Sequence, residues 1–164
     1  MNEPRLGAAL QIRKDDLTGS EIADLLRAHL EFARRHSPPE SVHALDLDRL
    51  RSPEITFWSV WDGDALVGFG ALKQLASDHG EIKSMHTAEA HRGKGVASRL
   101  VEHILAEART RGYRRVSLET GTPDVYAPAR ALYARYGFCP CPPFASYRED
   151  PYSVCMTREL GPGE

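Results

Sequence analysis

A predicted strand runs into a predicted helix within EIKSMHTAEAHRGKGVAS, residues 81–98. Residues 81–87 follow a turn-forming cluster and are typical of a strand, and apolar positions recur at helical spacing over residues 95–111. Gly93 and Gly95 lie at the helix entrance, where glycine allows a ligand to approach the backbone closely. The N–H groups of a first helical turn have no intrahelical partner and attract anions. We therefore expect this turn to bind a pyrophosphate.

Two better-known phosphate motifs are excluded by their spacing. A P-loop requires Gly-x-x-x-x-Gly-Lys followed by Ser or Thr, and the dinucleotide fingerprint requires Gly-x-Gly-x-x-Gly. Neither pattern occurs in this stretch. The turn is therefore not typical of a nucleoside triphosphatase or of a Rossmann domain.

The rest of the chain alternates predicted strands and helices without an internal repeat. In chain order they are a strand near residues 10–12, a helix ending near residue 35, strands at 55–61, 65–72 and 81–87, a helix at 95–111, a strand at 115–120, a helix at 128–136 and a strand at 153–159. This order indicates an α/β or α+β fold built on one mixed sheet. A length of 164 residues suits a single domain, 1–164.

The start of the first helix carries its own signal. Thr18 and Glu21 have the spacing of a capping box, in which the two side chains bond the free N–H groups of the first turn. The apolar positions that follow recur every three or four residues, which places them on one helix face. We expect the helix to begin at this box.

Composition and charge indicate which classes of molecule the chain is not expected to bind. The chain is 41% hydrophobic with a net charge of −2, so it has the content of a packed globular protein but no basic excess for nucleic acid or anionic lipid. Its N-terminal residues lack a signal-peptide pattern, and no apolar run has the length of a membrane span. We expect a cytoplasmic protein that binds neither nucleic acid nor membrane.

The chain has three cysteines, Cys139, Cys141 and Cys155, and such a small, odd number does not indicate a disulfide framework. A single Cys-Pro-Cys pair without a second pair of ligands is weak evidence for a metal. We expect reduced thiols, with Cys139 and Cys141 in a strand or loop, and no metal site.

The chain resembles the GNAT N-acetyltransferase superfamily. Its coenzyme A signature, Gln/Arg-x-x-Gly-x-Gly/Ala, is matched by Arg92, Gly95 and Ala97, and the segment ARALYARYGF at residues 129–138 matches in order. The resemblance extends over about residues 55–160. Within the superfamily, the chain also resembles a little-characterised bacterial subgroup. It implies a mostly antiparallel, twisted GNAT sheet of six to seven strands with about four helices, and fourth and fifth strands that splay apart.

The same resemblance implies acetyl-CoA as cofactor, with coenzyme A as product, and a set of contacts to it. The Met85 N–H would face the acetyl carbonyl, and Thr87 would pair with the pantetheine. Tyr126 stands where many relatives have an Asn that bonds the pantetheine. The implied cofactor-binding residues are Met85, His86, Thr87, Arg92, Gly93, Lys94, Gly95, Val96, Ala97, Ser98, Tyr126, Ala129 and Tyr133.

We expect a carboxylate to take part in proton transfer, because an alkylammonium must lose a proton before it attacks. We expect a tyrosine to take part as well, because the leaving thiolate is better protonated as it departs. Glu81 aligns with the general base of histone-acetylating relatives, on the strand face expected to carry Met85. Glu119 and ordered water are the alternatives. Tyr133 occupies the position of the tyrosine that commonly protonates the leaving thiolate, although a core aromatic would also fit there.

Acceptor choice is expected to lie in the loops at residues 36–50 and 142–153, with His43, Glu119 and Tyr147 as candidate substrate-binding residues. The resemblance implies that a primary amine of a small molecule attacks directly in a ternary complex. A catalytically silent acyl-CoA sensor and an enzyme acting on protein or peptide amines stay open. Dimers are common among such relatives, so a homodimer is a further expectation.

Overall fold

The computed structural model describes residues 10–43 and 46–161. Seven strands form a single sheet: β1 (Leu10–Lys14), β2 (Ile55–Asp62), β3 (Ala65–Ala76), β4 (His79–Thr87), β5 (Arg115–Gly121), β6 (Cys139–Cys141) and β7 (Ser153–Glu159). Their order across the sheet is β1-β2-β3-β4-β5-β7-β6. Only the β4–β5 pair is parallel, so the predicted mixed, mostly antiparallel sheet is confirmed.

Four α-helices accompany the sheet: α1 (Ser20–His36), α2 (Leu47–Leu50), α3 (Val96–Thr110) and α4 (Ala127–Arg135). Short 3-10 turns precede α2, α3 and α4. The sequence did not predict α2 or the short strand β6 as separate elements. Each has only three or four residues, which is too short for a periodic pattern to show.

Two apolar clusters cover the two faces of the sheet. The buried face of α3 includes Leu100 and Ile104, which pack with Val67, Ile82 and Val116 from the strands. On the opposite face, α1 covers a second cluster, whose buried members are Leu17, Ile22, Leu26, Leu50, Phe57, Phe69 and Ala71. The sheet is therefore enclosed between α1 and α3, as helical layers require.

The predicted capping box is wrong. The N-cap of α1 is Gly19, and no side chain bonds the first-turn N–H groups. The Thr18 hydroxyl instead donates to Asp16 Oδ1 at 2.7 Å. The Asp16 carboxylate is charged and is therefore a strong acceptor. Its hydrogen bond holds Thr18 in a local turn, away from the helix N-terminus.

The parallel pairing of β4 and β5 is short. It joins residues His79–Ile82 to Arg115–Leu118 and then stops. Beyond it, residues 83–87 of β4 and 119–121 of β5 diverge, which confirms the expected splay. The facing edges of these segments have no strand between them in the part of the chain that the structure describes, so their backbone polar groups are available to a ligand. Within those same residues, no helix has the length and apolarity needed to span a membrane.

Candidate active site

A cleft opens where β4 and β5 part. Its walls come from the two strands, from α1 and α4, and from the loop that precedes β7. Eight of the residues singled out from the sequence line it: His43, Glu81, Met85, Glu119, Tyr126, Ala129, Tyr133 and Tyr147. The divergence of two neighbouring strands therefore creates the space that the predicted catalytic groups share.

A β-bulge in β4 turns Met85 away from the face that carries Glu81. Phe69 of β3 pairs with His86 and Ala71 pairs with Lys83, so β4 has one extra residue between these pairs. Met85 packs over Gly70, where an added Cβ would lie 2.6 Å from the Met85 Sδ and 2.9 Å from Leu100. The expectation that Glu81 and Met85 share a strand face is therefore wrong, because a bulge reverses the alternation of side chains.

Ser84 sits inside this bulge with a φ of 58°, a left-handed conformation that is unfavourable for a residue with a Cβ. Its Oγ is buried and has no hydrogen-bond partner among the described residues. Strain of this kind concentrates at functional sites. The bulge thus holds the backbone at the cleft in a conformation that the local sequence would not adopt alone.

We expect Ser84→Gly to raise the melting temperature by about 2–4 °C, or roughly 1 kcal/mol. Glycine removes the left-handed strain, worth about 1–2 kcal/mol, and the buried hydroxyl, at an entropic cost of about 0.5–1 kcal/mol. Ser77→Gly is the control, because Ser77 is exposed and has no positive φ. Thermal unfolding of both variants checks this, and a loss of stability in Ser84→Gly alone would contradict the assigned strain.

Glu81 is the centre of a buried polar cluster. Its side chain is 3% exposed and that of Lys83 is 9% exposed, and the two form an ion pair at 3.2 Å. The Tyr147 hydroxyl donates to Glu81 Oε2 at 2.6 Å and accepts from Lys83 Nζ at 2.8 Å. Burial, and then the charge of Glu81, raise the pKa of Tyr147, which therefore stays protonated. The cluster joins β4 to the loop before β7.

Glu119 lies immediately past the last β4–β5 pair, on the other strand. Burial raises the pKa of Glu119, although a hydrogen bond from Ser153 Oγ at 2.6 Å opposes this. His43 and Lys83 also act to lower it, because they place positive charge nearby. A carboxylate with a raised pKa binds a proton more readily than an ordinary surface glutamate.

Tyr133 of α4 is buried, with 6% exposure, and packs edge-on against Phe138 with 5.8 Å between ring centroids. Burial raises the pKa of Tyr133, and the negative charge of Glu119 adds to the effect. Both residues line the cleft. The phenol thus remains protonated at working pH and can donate a hydrogen bond.

A pair of histidines lies beside the same cleft. His29 Nδ1 and His86 Nδ1 are 3.1 Å apart, so one ring donates a hydrogen bond to the other. Burial lowers the pKa of His29 to about 3 and that of His86 to about 4, helped by His86 in the first case and Arg92 in the second. Both rings are therefore neutral at pH 7, and one Nδ1 carries the proton that the other Nδ1 accepts.

The turn at residues 92–95, immediately before α3, is open. Gly93 has a φ of 79°, and Gly95, the N-cap of α3, has a φ of 86°. An added Cβ at either glycine would meet no atom within 4 Å, and the first turn of the helix has no acidic residue. An anion can therefore reach the free N–H groups of the first turn, and the residues present fit the diphosphate of coenzyme A.

The sequence model of the Acetyltransferase (GNAT) family matches residues 20–138. The chain belongs to the GNAT family of acetyltransferases. It is 55% identical over 151 residues to the uncharacterized N-acetyltransferase YsnE of Bacillus subtilis (strain 168), covering 92% of this chain and 100% of that protein. It is 49% identical over 155 residues to the uncharacterized N-acetyltransferase YedL of Escherichia coli (strain K12), covering 91% and 98%. The chain is therefore an acyltransferase.

Solved GNAT structures share its fold. An acyl-CoA N-acyltransferase from Klebsiella pneumoniae aligns with a TM-score of 0.75 at 27% identity, covering 94% of this chain and 99% of that chain. A GNAT acetyltransferase from Elizabethkingia anophelis, solved with acetyl-CoA bound, aligns with a TM-score of 0.68 at 18% identity, covering 93% and 99%. Acetyl-CoA is thus a ligand of at least one structural neighbour.

Tyr126 differs from the Asn of many GNAT proteins, and its packing shows what the ring does. It covers Gly121 so closely that an added Cβ there would clash with the ring. It also meets Phe32 of α1 edge-on, with 5.7 Å between ring centroids. Burial raises the pKa of Tyr126. The tyrosine therefore closes the gap between α1 and the splayed end of β5, where a smaller Asn would leave space.

Other predicted cofactor residues are placed outside this cleft. Val96 is buried against Gly68, so only its backbone can meet a ligand. The Arg92 guanidinium packs over the Phe32 ring at 5.5 Å. The His86 ring stacks on Phe69 and bonds His29, on the face covered by α1. The phosphate turn and the cleft are thus two separate parts of the site.

Among the cleft-lining residues that sequence reasoning missed are His29 and Lys83. His29 follows Leu25 and Leu26 at helical spacing, so a polar residue on the buried face of α1 was a visible signal. Lys83 follows Glu81 at the strand period, which places both on one face. Neither pattern by itself indicates a ligand.

Proposed function

We propose that this acetyltransferase moves the acetyl group of acetyl-CoA to a primary amine of a small molecule, by direct attack in a ternary complex. The observation that carries the proposal is the cleft at the parting of β4 and β5, where Glu119 and Tyr133 line a common space. One group there can accept a proton and the other can donate a hydrogen bond to the leaving sulfur. Acyl transfer to an amine needs both.

Coenzyme A would be held along α3 and β4. The free N–H groups at residues 95–98 would bind the diphosphate, and the open edge of β4 would bind the pantetheine. Acetyl-CoA supplies a thioester carbon that bonds to the amine nitrogen as the C–S bond breaks. The N–H of Met85, next to the bulge, would donate to the acetyl oxygen and stabilise its negative charge.

We assign the general base to Glu119 rather than Glu81. Glu81 Oε2 already accepts hydrogen bonds from Lys83 and Tyr147, so protein donors occupy the oxygen that would have to take the proton of the amine. Burial instead raises the pKa of Glu119 toward the working pH, where a base is most effective. Glu119 would take the proton from the attacking amine.

Tyr133 would donate a hydrogen bond to the departing sulfur, which leaves as the thiolate and then takes up one proton from solvent, while Glu119 returns the proton of the amine to solvent. Because its pKa is raised, the phenol is present in the protonated form throughout the working range. It therefore acts chiefly by stabilising negative charge on the sulfur, since complete proton loss from a high-pKa phenol is unfavourable.

A covalent acyl-cysteine is not part of the proposal. Cys155 is buried, and burial raises its pKa to about 11, so at pH 7 it is almost entirely the weakly nucleophilic thiol. Burial also raises the pKa of Cys141. Direct attack by the amine needs neither thiol.

Tyr133→Phe tests the proposal and should lower kcat by about 10–100-fold while leaving coenzyme A affinity unchanged. The assay detects N-acetylated amines by mass spectrometry, and calorimetry follows coenzyme A binding. Tyr136→Phe is the matched control, because the Tyr136 hydroxyl donates to Glu102 on α3 and does not line the cleft. Acetyl-CoA binding without product from any primary amine would overturn the proposed function, and unchanged turnover in Tyr133→Phe would remove that residue from the mechanism.

A further inference from the structure

The cleft at the parted strands adjoins a second, outer cleft. Both are lined by Val42, His43, Glu81, Lys83 and Tyr147. The outer cleft has a volume of about 420 Å³ and is bordered by α2, by β2 and β3, and by the loop before β7. We call the two together the acceptor trough. An acceptor whose amine lies at Glu119 would have these shared residues, and the outer cleft next to them, available to bind the rest of its structure.

The inner end of the acceptor trough carries negative charge. Glu119 lines it, and Lys83, the single Lys or Arg among the described residues that line it, is already paired with Glu81. A substrate amine enters mostly as the ammonium, because alkylamines have a pKa of about 10. The inner end therefore attracts an ammonium and can take its proton.

The outer end carries more cations than carboxylates. Its cations are Arg49, Lys73 and Lys83, against Glu54 and Glu81. Within residues 10–43 and 46–161, no carboxylate lies within 4.0 Å of the charged nitrogens of Arg49 or Lys73. Hydrogen bonds from the Ser52 side chain and the Glu54 backbone lower the pKa of Glu54. The charge of Lys73 also helps to lower that pKa, but by less. The outer end is thus suited to an anionic group.

Lys83 lies where the two clefts meet. Its ammonium has three N–H donors, and the structure gives two of them partners, Glu81 Oε2 and the Tyr147 hydroxyl. The side chain is almost completely buried, so the third donor is costly to leave without an acceptor. A carboxylate oxygen of a substrate in the trough would satisfy it with a charge-assisted hydrogen bond.

We propose that the acceptor is a small primary amine that also carries a carboxylate, with its amine against Glu119 and its carboxylate against Lys83 and the outer cations Lys73 and Arg49. This rests on the proposed acetyl transfer and names its substrate class. The reaction forms an amide at the amine nitrogen and leaves the carboxylate unchanged, with coenzyme A released as the thiol. A free α-amino acid is the smallest kind of molecule that carries both groups.

The test uses matched sets of acceptors with the purified full chain and acetyl-CoA. Each set contains an L-amino acid, its carboxamide and its decarboxylated amine, for phenylalanine, methionine and lysine. The amino acids should show kcat/KM values about 10–100-fold higher than their two partners, because only they offer a carboxylate to the cations. Coenzyme A release and mass spectrometry of the products give the rates.

Two variants locate the effect. Lys73→Met and Arg49→Met should each raise the KM for the amino acids about 5–10-fold without changing the KM for acetyl-CoA or for the carboxamides. Lys14→Met, which removes an exposed cation from β1 at the far edge of the sheet, should change none of these values. Melting temperatures confirm that each variant is folded.

The outcomes separate this proposal from the one on which it rests. Equal or faster acetylation of carboxamides and decarboxylated amines would overturn the carboxylate requirement and leave acetyl transfer standing. Preference for the amino acids with unchanged KM in both variants would overturn the role given to Lys73 and Arg49. Acetyl-CoA binding with no acetylated amine in any set would overturn both proposals.

Discussion

Glu119→Gln should lower kcat by about 10²–10³-fold. Glutamine keeps the size of the side chain and can still accept the hydrogen bond from Ser153 Oγ, but it cannot take a proton from the amine. Binding of acetyl-CoA should be unchanged, because the substituted group lies on β5 and not at the phosphate turn. Steady-state kinetics with an accepted amine, together with calorimetry, measures both effects.

The pH dependence of kcat/KM identifies the general base more specifically than a fall in kcat at a single pH does. Glu119 acts only as the carboxylate, so kcat/KM falls as the pH drops through its pKa in the free enzyme. Burial raises that pKa, which moves the fall to a higher pH than an ordinary glutamate, with a pKa of about 4.3, would give. In Glu119→Gln this fall should disappear. Glu81→Gln is the matched variant and should retain it, and loss of the fall in Glu81→Gln alone would transfer the role of base to Glu81.

Local patterns in the sequence account for the central elements of the fold. The apolar row of α3 is visible because Val96, Leu100 and Ile104 recur at helical spacing, and all three are buried. The hairpin of β2 and β3 is visible because a Gly-containing turn separates two strand-forming runs. The splay of β4 and β5 was expected from resemblance to GNAT proteins and not from residue pattern. It depends on pairing between segments that are distant along the chain.

The bulge at Ser84 shows why part of the site was not predictable. Serine is not a residue that marks a positive φ, and the sequence around it alternates without a visible break. The extra residue becomes evident only in the register between β4 and β3. One inserted position was enough to move Met85 to the other face from Glu81, because side chains alternate with a period of two.

The buried polar cluster depends on contacts of still longer range. Tyr147 and Glu81 are separated by 66 positions and are joined through a loop whose sequence has no periodic signal. His29 and His86 are 57 positions apart, and their shared hydrogen bond follows from the packing of α1 on the sheet. Both carboxylates were recognised as candidate bases from the sequence. The two carboxylates differ because Lys83 and Tyr147 bond Glu81 and not Glu119. Only the structure shows this difference.

Lys83→Met should lower the free energy of unfolding by about 3–5 kcal/mol, because it leaves the buried Glu81 carboxylate without its cation. For a chain of this size the corresponding drop in melting temperature is about 10 °C or more. Methionine has nearly the length and volume of the lysine stem, so the change is mainly one of charge. Arg27→Met is the control, because it breaks an exposed ion pair with Asp24 that should contribute less than about 1 kcal/mol.

The double variant Lys83→Met/Glu81→Gln separates the ion pair from simple packing loss. The neutral glutamine that replaces Glu81 can still accept the hydrogen bond of the Tyr147 hydroxyl and has no unpaired charge to bury. We therefore expect the double variant to regain at least half of the stability lost in Lys83→Met, as measured by denaturant unfolding of both variants at the same pH. A double variant as unstable as the single one would mean that Lys83 stabilises the fold through its aliphatic stem. The buried pair would then have no role in joining β4 to the loop before β7.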